Sequence, residues 1–169
     1  TIALTAGSGK WYFEVRDNST GGTDYNGIGV VDVTQAGNSI ASGTYLYGPA
    51  ASNSHNGASG WVTFGSVFES GDVIGVLVDY SDSTKSLTFY KEGSSEGTMT
   101  TSLPDSVQMC VCRVSGAPNC TANFGADPTF GGTESGELTS EFLFTPPTGA
   151  NAISTANLPT PTIAKGHEY

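Results

Sequence analysis

Short runs of alternating apolar and polar residues recur along the chain, each closed by Gly, Asn, Asp or Ser, and this pattern predicts strands joined by turns. In residues 10–16 (KWYFEVR), Trp11, Phe13 and Val15 fall on one face and Lys10, Tyr12, Glu14 and Arg16 on the other. A period of two implies a buried side and a wetter side, with Glu14 in solvent or paired with Arg16 or Lys91. Residues 72–80 (DVIGVLVDY) differ because both alternating sets are largely apolar, which predicts a central strand covered on both faces. Further strands are expected at 27–33, 44–47, 61–64, 85–91, 107–115 and 119–124, with hairpin turns at 81–84 and 92–95. No long window keeps a helical apolar period without a Gly or Pro, so little helix is expected. The fold class is therefore all-β, a two-sheet antiparallel β-sandwich.

Two polar stretches, 48–60 (GPAASNSHNGASG) and 131–141 (GGTESGELTSE), read as long loops, and a closing strand is expected at Phe142, Leu143 and Phe144. From Pro146 the composition shifts to Pro, Thr, Ala and Asn. The expected division is a sandwich over 1–145 and an extended Pro-rich tail or linker over 146–169. The opening Thr1, in place of Met, leads to the expectation that the chain is a portion of a longer or processed polypeptide.

Composition narrows the functional classes. The 169 residues carry 6 Lys+Arg against 16 Asp+Glu, a net charge of −10, and those scattered cations make no stripe that could track phosphates. No nucleic-acid partner is expected. The longest apolar run, residues 73–78, falls far short of a bilayer span, so membrane insertion is not expected either. Of the 3 Cys, Cys110 and Cys112 stand two apart on one predicted strand and hence on one face, while Cys120 follows a turn. Buried free thiols are the favoured reading, with a bridge from Cys110 or Cys112 to Cys120 as the alternative.

The ordered set Gly9-Lys10-Trp11-Tyr12-Phe13-Glu14-Val15, Gly27-Ile28-Gly29-Val30, Tyr47-Gly48, Gly71-Asp72-Val73-Ile74-Gly75-Val76 with Asp79, Leu87, Phe89 and Tyr90, and Asn123-Phe124-Gly125 with Phe130 resembles the SPRY domain over roughly residues 2 to 130. The resemblance implies a concanavalin A-like sandwich of jelly-roll type, in agreement with the strand reading. Three departures stand out. Glu92-Gly93 replaces the family's Asn-Gly, leaving the turn type open; the strand that often precedes the first motif is expected to be missing, with an open edge; and the 131–141 insertion delays the closing strand. A narrower likeness concerns setting. The segment FLFTPPTGANAISTANLPTPTI (142–163), with the opening TIALTAGSGKWYFEV, resembles SPRY-containing structural proteins of tailed bacteriophages.

Candidate chemistry is sparse. There is no GxSxG or HExxH motif, and no cluster of carboxylates on one strand of the kind a glycosidase uses. Asp79 with Asp82, and Asp17, Asn18, Asp24 and Asn26, could donate oxygens to Ca²⁺ but read as turn residues. Neither His has metal-ligand spacing, so no metal or other cofactor is expected. Recognition remains. Tyr45, Tyr47, Asn53, His55, Asn56 and Trp61 bracket the 48–60 stretch and combine aromatic faces with amide and imidazole groups, the equipment of a sugar or peptide site; the competing reading makes the aromatics core. The expectation is a non-enzymatic module of a phage virion, such as a tail fibre or spike. Its partners would be other virion subunits and a host-surface glycan or protein, with copies assembled as a homo-oligomer. The rival is a purely architectural capsid or tail protein.

Overall fold

The computed structural model describes residues 2–19, 25–35, 43–48, 53–56, 61–81, 85–99, 103–115, 119–131, 141–154 and 157, with the side chains at 25, 53–56, 61 and 113–115 outside the description. Among the described residues the chain forms β1 (Leu4–Thr5), β2 (Gly9–Asp17), β3 (Tyr25–Asp32), β4 (Thr44–Gly48), β5 (Asn53–Asn56), β6 (Trp61–Thr63), β7 (Val73–Tyr80), β8 (Ser86–Lys91), β9 (Ser94–Met99), β10 (Ser106–Ser115), β11 (Cys120–Asn123) and β12 (Ala150–Ala152). A single 3-10 turn at Val33–Gln35 is the only helical element among them. One sheet runs β1-β10-β3-β4-β5-β6 and the other β11-β2-β7-β8-β9, with β12 also on β2. All pairings are antiparallel except β12 with β2.

The space between the sheets is filled from β2, β7 and β8 on one side (Trp11, Phe13, Val15, Ile74, Val76, Phe89) and from β3, β4 and β10 on the other (Ile28, Val30, Tyr47, Val107). These are the alternating positions that the period-two pattern marks as inward. Strand β7 lies between β2 and β8, and seven of its eight residues are buried, as a run apolar on both faces requires. The β8–β9 hairpin has a two-residue turn, Lys91 pairing with Ser94. Glu92 and Gly93 both adopt positive φ, 49° and 76°, which makes a type I′ turn despite the missing Asn. Glu92 tolerates this because both its backbone N–H and its carboxylate bond to Val73, the latter at 2.5 Å.

At Gly29 the neighbouring strand leaves no room for a side chain: an added Cβ would collide with the backbone carbonyl of Tyr45. Backbone cannot swing aside as a side-chain tip can. Gly29→Ala is expected to cost about 1–3 kcal/mol by forcing β3 and β4 apart, lowering the thermal midpoint by roughly 2–4 °C per kcal/mol. Calorimetry of the variant checks it.

Three expectations are corrected. The preceding strand is present as the two-residue β1, although beyond Val107 the outer edge of β10 has no strand partner among the described residues. The 48–60 stretch is not one loop, because Asn53–Asn56 forms β5 between β4 and β6. The boundary at 145 is also displaced. Residues 150–152 form β12 along β2, and Ala152 and Ile153 are buried, so the sandwich takes in the chain to about Ser154. Antiparallel β11 covers the edge of β2 from Glu14 to Asp17, and parallel β12 covers it from Lys10 to Tyr12. Together they act as a single edge strand made from two distant parts of the chain.

Candidate functional site

Burial on the outer face of β2 departs most from the sequence pattern. Tyr12 and Glu14 were expected on the wetter side, yet their exposures are 1% and 0%. The cover is the segment after residue 141, which crosses this face in place of the expected closing strand. Phe142 meets the Tyr12 ring edge-on with centroids 4.9 Å apart. The backbone N–H groups of Leu143 and Phe144 donate to the two oxygens of Glu14 at 2.9 and 3.0 Å. Tyr12 Oη and Asn123 Nδ2 complete the set at 3.3 and 3.4 Å.

Four donors therefore converge on one buried, acceptor-only group. Asn123 is held in turn, its Oδ1 accepting from the N–H groups of Gly125, Ala126 and Asp127 while its Nδ2 also reaches the Glu141 carbonyl. Burial pushes the Glu14 carboxyl above its ordinary value, against the downward pull of the Phe144, Leu143, Tyr12 and Asn123 donors. Burial, together with the adjacent Glu14 charge, raises the Tyr12 phenol well above its usual range. The arrangement is an anchor rather than a reactive site. Glu14 is paired with neither Arg16 nor Lys91: the guanidinium of Arg16 lies 4.6 Å over the Phe130 ring, and Lys91 pairs with Asp72 at 3.1 Å.

The other polar groups singled out in the sequence are also structural. Asp17, 1% exposed, accepts from the Ser19 N–H and hydroxyl and from Asn26 Nδ2, which also reaches the Asn119 carbonyl. Asp79 accepts from the Ser81 N–H and hydroxyl and pairs with Lys10 at 3.1 Å. Burial alone would raise Asp79, but Ser81 and Lys10 together hold it below its ordinary value. Asp24 and Asp82 lie outside the described residues. The thiols of Cys110, Cys112 and Cys120 are free, and Cys120 stands in the opposite sheet, so neither neighbour bridges to it.

The proposed recognition residues divide between the two faces of their sheet. Tyr45 and Tyr47 are buried, 7% and 0% exposed, and belong to the core, where Tyr47 stacks among Phe64, Phe68 and Phe89. The expectation that they offer ring faces to a ligand is corrected, because alternation turns both into the space between the sheets. Register places position 56 opposite Tyr45, on that same inward side. Positions 53, 55 and 61 fall on the other side: His55 pairs with both Leu46 and Trp61, and Asn53 with Gly48 and Thr63. Asn53, His55 and Trp61 thus occupy positions on the face turned from the core, which they share with Leu46, itself fully buried, while Tyr45, Tyr47 and Asn56 do not. At the opposite end a cleft of about 240 Å³ lies among Ile2, Leu4, Gln108, Met109, Phe124 and Ile153. Sequence reasoning missed it; the signal available was the apolar pair Ile2 and Leu4 ahead of the first strong strand.

Fold and site define a two-sheet β-sandwich whose buried polar groups serve structure and whose β10 edge beyond Val107 has no strand partner among the described residues. The SPRY domain model matches residues 10–127, and the chain belongs to the SPRY domain family. It is 31% identical over 129 residues to the Ran-binding proteins 9/10 homolog of Drosophila melanogaster, covering 74% of this chain. The chain spans only 13% of that relative's length.

Proposed function

We propose that this chain is a non-enzymatic binding module of a bacteriophage virion, contacting a host-surface protein or glycan through the outward face of β5 and β6 at Asn53, His55 and Trp61. The observation that carries the reading is the pairing register, which gathers those positions on one face at the sheet's edge. Positions 53 and 55, an amide and an imidazole, beside the indole position 61 supply hydrogen-bonding and apolar capacity together. SPRY membership supports an interaction role, as does the relative's name as a homolog of Ran-binding proteins. The virion setting rests on the likeness of residues 142–163 to phage structural proteins. A non-enzymatic role is favoured because Glu14 is wholly engaged by donors and the cleft carries no titratable side chain. Repetition of copies on a particle would turn weak contacts into avidity.

A second reading, architectural bracing between virion subunits, is favoured by one observation: the outer edge of β10 from Gln108 to Ser115 has no strand partner among the described residues. A map of the intact particle separates the two. Adhesion predicts the β5–β6 face turned to solvent, and Trp61→Ala and His55→Ala each weakening attachment of the full chain to host cells at least tenfold, about 1.4 kcal/mol. Loss of attachment after protease treatment of the cells identifies a protein receptor, and loss after periodate a glycan. A β5–β6 face buried against another subunit, or variants that attach as well as the parent, contradicts adhesion.

A further inference from the structure

The sulfurs of Cys110 and Cys112 lie 2.7 Å apart on β10. Along this strand Val107, Met109 and Val111 turn toward the core, which leaves the two cysteines on the outer face. Their partners across the ladder are Gly29 and Gly27, so no side chain of the paired residues stands beside either thiol. Both thiols are partly exposed, and Cys120 is paired with Asp17 in the other sheet. We propose that Cys110 and Cys112 form a dithiol site that reacts as one unit with disulfide oxidants and with trivalent arsenicals.

With glutathione disulfide as oxidant, the Cys112 thiolate attacks one glutathione sulfur, forming a mixed disulfide and releasing one glutathione thiolate. The Cys110 thiolate then attacks the Cys112 sulfur, closing the Cys110–Cys112 bond and releasing the second. Two cysteine thiols are oxidised, one disulfide is reduced, and the two thiol protons pass to the departing glutathiones. Cys112 is the suited nucleophile, because its close contact with Cys110 holds its thiol below the ordinary value. The same contact, with burial, raises Cys110.

Residues two apart on a strand are separated by about 6.6 Å, at the upper end of the roughly 4.4–6.8 Å that a disulfide spans. Closure must tighten one pleat of β10, and the register irregularity between Arg113 and Ser115 lies next to it to absorb the change. A bond under such tension reduces readily, the behaviour of a reversible site rather than of a permanent staple.

The test is to equilibrate the full chain in graded ratios of oxidised to reduced glutathione, quench with an alkylating reagent and measure intact and tryptic masses. Cleavage after Lys91 and Arg113 puts both cysteines in one peptide, 92–113, and Cys120 in another. The expected result is joint loss of both alkylation sites from that peptide, unchanged in Cys120→Ser and replaced by a single glutathione adduct in Cys110→Ser. Phenylarsine oxide should likewise block both sites at one arsenic per chain, two As–S bonds replacing the arsenic–oxygen bond and the oxygen leaving as water with the two thiol protons. Full alkylation of Cys110 and Cys112 at the most oxidising ratio, separate rather than joint modification, or a bridge to Cys120 would overturn the proposal.

Discussion

Glu14→Ala is expected to lower the unfolding free energy by about 2–4 kcal/mol, because it strips the acceptor from the part-buried N–H groups of Leu143 and Phe144 at about 1–2 kcal/mol each. Glu14→Gln keeps the volume but supplies one acceptor where two are needed, and its NH₂ must face a donor on one side. It should recover only part of the loss. The pH dependence has a definite sign. The folded-state pKa of Glu14 is raised, so its contribution is fully present below the unfolded value, about 4.3, and is lost as pH rises through the folded value. The Gln variant lacks this dependence, so the gap between parent and variant should narrow as pH climbs out of the acid range. Denaturant unfolding at several pH values measures both the cost and its trend. A Glu14→Ala chain as stable as the parent would mean that the 141–144 segment is not held through this carboxylate.

Truncation after Thr145 is expected to be comparably damaging. It removes β12, exposes the edge of β2 from Lys10 to Tyr12 in the middle of its sheet, and discards Ile153, 6% exposed, from the core. Ladder bonds at about 0.5–1.5 kcal/mol each and an isoleucine side chain at about 1.5–3 kcal/mol predict a loss of roughly 3–6 kcal/mol, with binding of hydrophobic dyes to the opened edge. The full-length chain is the reference for this comparison. Comparing the two by chemical denaturation checks this, and equal stability of the 1–145 piece would restore the original boundary.

Most of the sandwich was legible because its strands are amphipathic. Trp11, Phe13 and Val15 announce an inward face, and the doubly apolar run of β7 announces a central position. The facing of Cys110 and Cys112 was legible for the same reason, since positions two apart on a strand must share a side. The environment of Glu14 was not, because its partners lie 129 and 130 residues away and local alternation marks position 14 as polar without saying what covers it. Residues 150–152 read as tail because Pro and small polar residues surround them, and their place is set by a parallel pairing that no short-range pattern encodes. Strand β5, with the sequence NSHN, lacks apolar alternation altogether. It is held as a strand by the ladders to β4 and β6, and that pairing, invisible in the sequence, decides that Asn53, His55 and Trp61 share a face without Tyr45 and Tyr47.

Amide hydrogen exchange at Leu143, Phe144 and Ala150–Ala152 tests most directly the claim that the C-terminal segment is part of the SPRY sandwich and is locked through Glu14. Exchange as slow as that of the β7 amides in the parent, accelerated by orders of magnitude at Leu143 and Phe144 in Glu14→Gln, is the predicted result. Fast exchange of these amides in the parent chain, while β2 and β7 stay protected, would contradict it.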